Sequence, residues 1–255
     1  MSKNESQELC LITGGASGIG EACARELFSR GYEIAIADKN PKGEKIASEL
    51  SGKFFPLDVS ESTEIDALAE AISNSGNFIH TLINCAGIIQ QPLPPEELSL
   101  KTWDDIVRID QRGTYYCSVA FAREMIKRGR GNIVNIASIT AMRSVPLHAY
   151  APAKAAVVSM TECLAAEWGR HGVRVNAVSP GHTLTPALQS AISAGERDIK
   201  LLEENALGRM VNPEEVAKAV AFLVGDESSA ITGVNLPVDC GWLVAGSWHT
   251  YGGLR

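Results

Sequence analysis

Tyr150 and Lys154, in the stretch AYAPAK, stand four residues apart. On a helix that spacing stacks the two side chains on one face, so the ammonium lies near the phenol. A neighbouring cation favours phenolate and lowers a tyrosine pKa. Pro152 between them permits a helix, because in a first turn its missing N–H has no intrahelical partner to lose. The same residues also read as an ordinary helix start with an exposed lysine.

A second chemical feature is Thr13-Gly14-Gly15-Ala16-Ser17-Gly18-Ile19-Gly20, which directly follows an apolar run. Glycines let the backbone turn tightly and approach a pyrophosphate, which then rests on the N–H groups of a helix N-terminus. Their spacing, G-x-x-x-G-x-G, differs from the G-x-G-x-x-G of many dinucleotide folds. Asp38 ends the next strand-like run, where a carboxylate accepts hydrogen bonds from an adenosine ribose diol and repels a 2′-phosphate. The loop contains no Arg or Lys, so NAD is favoured over NADP, with Lys39 and Lys42 as the nearby cations. Ser17 lacks the G-x-S-x-G frame of a hydrolase nucleophile, since Ile19 holds the last glycine position.

The elements that must hold these groups alternate along the chain. Short apolar runs at 9–13, 33–38, 53–59, 80–87, 132–138, 173–181 and 235–239 predict strands. Stretches with helical spacing at 18–29, 65–73, 103–128, 150–170 and 213–223 predict helices. The pattern predicts an α/β fold, a Rossmann-like doubly wound parallel sheet of about seven strands in a single domain over 1–255. At the last helix, Asn212 can cap, Pro213 fits the first position and Glu215 can reach back to the cap. A polar tail occupies 1–8. The region 183–210 breaks the alternation after the sixth strand and is a candidate substrate lid, irregular in pattern, where ligands of open α/β sheets bind.

The net charge of −7 argues against a general binder of nucleic acid or anionic membrane, and favours a small-molecule substrate. Six cysteines are scattered without a C-x-x-C pair or a metal-ligand cluster, so no metal site is expected. With a polar N-terminus and no span-length apolar run, a cytoplasmic protein with reduced thiols is expected.

With the glycine loop and the Tyr150/Lys154 pair come Asp58-Val59 after the third strand, Asn84-Cys85-Ala86-Gly87 after the fourth, Ser138 after the fifth, and Pro180-Gly181 with Thr183 after the sixth. In this order the sequence resembles the short-chain dehydrogenase/reductase family over nearly its whole length. The resemblance implies hydride transfer between a nicotinamide cofactor and a secondary alcohol or ketone. Tyr150 would be the acid/base, Lys154 would lower its pKa and hold the nicotinamide ribose, and Ser138 would polarise the substrate oxygen. It implies a cofactor site from Gly14, Ser17, Gly18, Ile19, Gly20, Asp38, Asp58, Val59, Asn84, Ala86, Gly87, Pro180, Gly181 and Thr183, shared with Tyr150 and Lys154. It also implies a homotetramer.

Two positions depart from the family pattern. Cys85 replaces a second Asn of Asn-Asn-Ala-Gly. Asp110, in Ile109-Asp110-Gln111-Arg112-Gly113, replaces the Asn that usually completes a catalytic tetrad, and its charge would partly cancel the field that Lys154 exerts on Tyr150. Thr140, Arg143, His148 and His182 are the candidate substrate residues. Their polarity suggests a polyol or sugar. The alternatives are a reductase resembling those acting on 3-oxoacyl thioesters, and a catalytically weak nucleotide sensor or scaffold. The tail 240–255, with Trp242, Trp248 and Tyr251, is expected to contact a neighbouring subunit.

Overall fold

The computed structural model describes residues 8–253; all but the last residue of the expected polar tail at 1–8 lies outside the described residues. Seven strands, β1 (Glu8–Thr13), β2 (Glu33–Asp38), β3 (Lys53–Pro56), β4 (Phe78–Asn84), β5 (Gly131–Ile136), β6 (Val173–Pro180) and β7 (Asn235–Val238), form one parallel sheet in the order 3-2-1-4-5-6-7. The order in which successive strands are added reverses at the β1/β4 pair, so the connections leaving these two parallel strands part and open a crevice at their carboxyl ends.

The strands bury both faces, and their period of two divides the core. Cys10, Ile12, Ile34, Ile36 and Val134 pack with α1 (Gly18–Ser29), α2 (Lys42–Glu49) and α9 (Pro213–Val224). Leu9, Leu11, Ala35, Leu82 and Ile133 pack on the other side with α3 (Ser62–Asn74), α5 (Thr114–Arg128) and α6 (Tyr150–Trp168). Fully burying each large aliphatic side chain contributes about 1.5–3 kcal/mol. The spacing gave no sign of α2, because KGEKIASE has too few apolar residues to show a face.

The helix expected at 103–128 is interrupted. It runs as α4 (Leu100–Ile106), a π-turn over Val107–Gly113, and α5. The wider turn adds a residue to the helical register, and Asp110 and Gly113 within it are buried. At α9, Glu215 does reach back to the Asn212 N–H at 2.9 Å, and Arg209 hydrogen-bonds the same carboxylate, holding its pKa down to about 2.

The region 183–210 is more regular than its pattern suggests. It carries α7 (Pro186–Ser193), capped by the Thr185 hydroxyl, and α8 (Ile199–Leu202). Its two ends are tied together, with Leu184 N–H donating to the Val211 carbonyl at 2.8 Å and Val211 N–H to that of His182 at 2.9 Å. It is a closed loop standing on the crevice. A short helix, α10 (Trp242–Ala245), follows β7. No described helix is long and apolar enough to cross a membrane, and the described residues contain no group of metal-ligating side chains.

Candidate active site

The first half of the site is built where β1 ends. The Thr13 hydroxyl accepts the N–H groups of Cys85 and Ala86 at 3.2 and 3.3 Å, so it draws the segment after β4 across the glycine turn. The contact leaves no space for a side chain: a Cβ on Gly14, whose φ is +68°, would sit 2.7 Å from the Ala86 backbone. A Cβ on Gly20 would meet the Gly14 carbonyl oxygen at 2.2 Å, which fixes how closely α1 approaches the turn. Asp38 closes the far end. Its carboxylate accepts Ala16 N–H at 3.0 Å and Asn40 N–H at 2.8 Å, and two of its roughly four lone-pair directions remain open.

The second half forms on β5 and α6. Ser138 follows β5, and its hydroxyl accepts the Thr140 N–H at 3.2 Å. Tyr150 is the first residue of α6 and Lys154 lies one turn further, its Nζ 5.5 Å from the Tyr150 ring centre. That Nζ donates to the Ile136 carbonyl at 3.0 Å and stands 3.1 Å from Asp110 Oδ2. Asp110 is fully buried, and its Oδ1 accepts the Ile88 N–H at 2.9 Å. A Cβ on Gly87 would lie 2.8 Å from Asp110 Oδ2, so only glycine lets this segment lie over the pair.

Burial raises the Asp110 pKa, while the Lys154 ammonium and the Ile88 N–H oppose it. Burial would lower the Lys154 pKa, but Asp110, with Tyr150, outweighs it and the result lies above the ordinary value. These directions, with the 3.1 Å contact, describe a buried ion pair with Lys154 held charged. Tyr150 corrects the expectation of a lowered phenol. Lys154 and a Ser138 hydrogen bond do act to lower its pKa, but burial, reinforced by the Asp110 charge, leaves it above 10.

Both halves face one cleft of about 970 Å³. Of the expected cofactor residues, all but Asn84 line it. The Asn84 side chain is buried and donates instead to Ser118 Oγ at 2.9 Å and Asn135 Oδ1 at 2.8 Å, tying β4 to β5 and α5 beneath the cleft. Thr140 and His182 line the cleft, and the Thr140 hydroxyl has no hydrogen-bond partner among the described residues. Arg143 and His148 do not line it. Arg143 is exposed and donates to the carbonyls of Met142 and Leu243, which turns its charge toward the C-terminal segment. His182 packs edge-on against Trp242 and makes a 3.2 Å hydrogen bond with the Leu202 carbonyl, so it joins α10 to the loop over the cleft.

The lining also includes residues that no sequence signal marked individually: Gln90, Gln91, Leu147, Leu188 and Arg197. The last two come from the loop expected to be a lid, so position pointed to the region but not to the side chains.

A family model described as Enoyl-(Acyl carrier protein) reductase matches residues 14–243. The chain is 37% identical over 244 residues to a D-threitol dehydrogenase of Mycolicibacterium smegmatis, covering 93% of each protein. It is 35% identical over 243 residues to a galactitol 2-dehydrogenase of Rhizobium johnstonii, covering 92% of this chain and 95% of that one. A solved structure titled as ribose-5-phosphate isomerase from Brucella melitensis 16M matches with a TM-score of 0.95 and 49% identity over 98% of both chains. Another, titled ElxO with NADP bound, matches with a TM-score of 0.88 and 29% identity over 93% of this chain and 99% of that one.

Proposed function

The chain belongs to the short-chain dehydrogenase/reductase family, and we propose on that premise that it is an NAD-preferring dehydrogenase of a polyol or sugar alcohol. The reaction class, oxidation or reduction at a CH–OH carbon with a nicotinamide cofactor, is that of the family. What carries the reading is the convergence of Ser138, Tyr150 and Lys154 on the same cleft as the glycine turn and Asp38.

The residues present fit a nicotinamide dinucleotide. The glycine turn is a cradle that a Cβ at Gly14 or Gly20 would fill, and Asp38 keeps acceptor capacity for a ribose diol. Gly14, Ser17, Gly18, Ile19 and Gly20 would hold the pyrophosphate, Asp58 and Val59 the adenine, Ala86 and Gly87 the centre, and Pro180, Gly181 and Thr183 the carboxamide end. When bound, the cofactor supplies the hydride acceptor or donor. Asp38 disfavours a 2′-phosphate, and Lys39, the adjacent cation, stands 3.8 Å from the Asp58 carboxylate. Both features support NAD, although the ElxO structure names NADP.

In the oxidative direction the Tyr150 phenolate takes the hydroxyl proton of the alcohol while the Ser138 hydroxyl holds the same oxygen. In the reductive direction the phenol returns that proton. Lys154 donates to the Ile136 carbonyl and is ion-paired with Asp110, and an ammonium with three protons has capacity left for the phenol or a ribose hydroxyl. A polyol is supported by the names of the threitol and galactitol relatives. The six free thiols support a cytoplasmic location, and the exposed Trp248 and Tyr251 support a homo-oligomer, a tetramer by family resemblance.

The test is NADH appearance during a screen of D-threitol, galactitol, glycerol and other secondary alcohols, repeated with NADP. A 3-oxoacyl thioester with NADH and ribose 5-phosphate without cofactor serve as competing substrates. Turnover of one polyol with NAD, lost roughly 10²- to 10⁴-fold in Tyr150→Phe, is the expected result. Preference for NADP, conversion of ribose 5-phosphate without cofactor, or an active Tyr150→Phe enzyme overturns the reading.

A further inference from the structure

The start of α6 has an acceptor that lies far away in the chain. Helix N-termini leave backbone N–H groups without intrahelical partners, and Ala149, the residue preceding Tyr150, has no side chain to cap them. Ala151 N–H donates to the Leu147 carbonyl at 2.9 Å, Ala153 N–H to that of Ala149 at 3.1 Å, and Pro152 has no N–H. That leaves the N–H groups of Ala149 and Tyr150. Both donate to a single atom, Gln90 Oε1, at 2.7 and 3.1 Å.

Gln90 is only 4% exposed and belongs to the segment after β4 that lines the cleft. Two residues earlier in that segment, the Ile88 N–H holds Asp110. Residues 88–90 therefore fix the Asp110 carboxylate with a backbone donor and the head of the Tyr150 helix with a side-chain acceptor.

We propose that Gln90 is a positioning residue for Tyr150: its amide oxygen fixes the first turn of α6, and so the origin of the phenol, against the glycine-turn side of the cleft. The inference rests on the reading of Tyr150 as the acid/base. Without the acceptor, the Ala149 N–H, on a residue with no solvent exposure, loses its partner. The turn then shifts toward another acceptor, and a shift of about 1 Å at a reacting group costs on the order of 10²-fold in rate.

Gln90→Met keeps length and removes the acceptor; Gln90→Glu keeps an acceptor at a helix N-terminus, where negative charge is favoured. Two readouts apply to each: amide hydrogen exchange of the peptide covering residues 147–153, and steady-state kinetics with NAD and the best alcohol of the screen. Expected for Gln90→Met is faster exchange confined to that peptide and a kcat lower by roughly 10- to 100-fold, with both KM values within about threefold of wild type. Gln90→Glu is expected to restore most of the protection and, measured on the alkaline plateau where its added charge no longer limits phenolate formation, most of kcat.

Unchanged exchange in Gln90→Met overturns the anchoring. Faster exchange with unaltered kcat, or a Gln90→Glu enzyme no better than Gln90→Met, overturns the positioning role. Should Gln90→Met not fold, Gln90→Asn, shorter by one methylene, must show the same local exchange; protection equal to wild type there overturns the proposal. Failure of the Tyr150 reading is seen separately, as activity retained in Tyr150→Phe, and leaves the exchange result untouched.

Discussion

The Asp110 carboxylate, without solvent access, stands 3.1 Å from the Lys154 ammonium one turn from Tyr150, and this sets the electrostatics of the site. Asp110 adds to the burial that raises the Tyr150 pKa and opposes the lowering by Lys154. In the proposed reaction the active form for oxidation is the phenolate, so raising its pKa would move the acidic limb of the oxidative pH profile to higher pH. Asp110→Asn removes the negative charge, and its acidic limb is expected at lower pH than that of wild type. Superimposable profiles would show that Asp110 has no electrostatic part in catalysis. For Asp38 the proposed role is in cofactor binding. Asp38→Ala should weaken NAD by roughly 10- to 100-fold, the equivalent of losing a charge-assisted hydrogen bond or two, and should narrow the gap to NADP. Fluorescence titration of the two reduced cofactors measures both effects.

Among the elements, the glycine turn depends on closeness more than on any side chain. The 2.2 Å approach that a Cβ at Gly20 would make to the Gly14 oxygen must be relieved by moving α1 or opening the turn. Either removes the N–H groups from the pyrophosphate position. Gly20→Ala is therefore expected to raise the cofactor dissociation constant at least about tenfold. Because α1 also packs against α9, it should lower the melting temperature as well. A variant with wild-type affinity would mean that the turn tolerates a wider spacing. The π-turn at Val107–Gly113 has a comparable role for the other half of the site, since it carries Asp110 to Lys154 from within what would otherwise be one long helix.

At the scale of the whole molecule, the C-terminal segment is divided in its attachments. Trp242 packs on His182 within the chain, whereas Trp248 and Tyr251 are 50% and 81% exposed. Exposed aromatics this close together suit a subunit contact. Light scattering is expected to find an oligomer for wild type and a smaller species for the Trp248→Ser, Tyr251→Ser double variant; a monomeric wild type would refute the contact. The alternation of strands and helices, the glycine turn, the strand-end Asp38 and the Tyr150/Lys154 pair were legible in the sequence because each is written locally, whereas Ser138 was marked by the family resemblance. An unbroken apolar run buries both faces of a strand, glycines mark where backbones must touch, and residues four apart share a helix face. Tertiary structure decided what depends on residues distant in the chain. Asn84 turns under the sheet because Ser118 and Asn135 offer it partners, and Arg143 turns from the cleft because the Leu243 carbonyl accepts it. Gln90 reaches the head of α6 across 60 positions of sequence. The Tyr150 pKa follows the same rule: the cation one turn away was visible in the sequence, but the burial and the buried carboxylate that outweigh it exist only once the sheet has brought β4, β5 and α6 together.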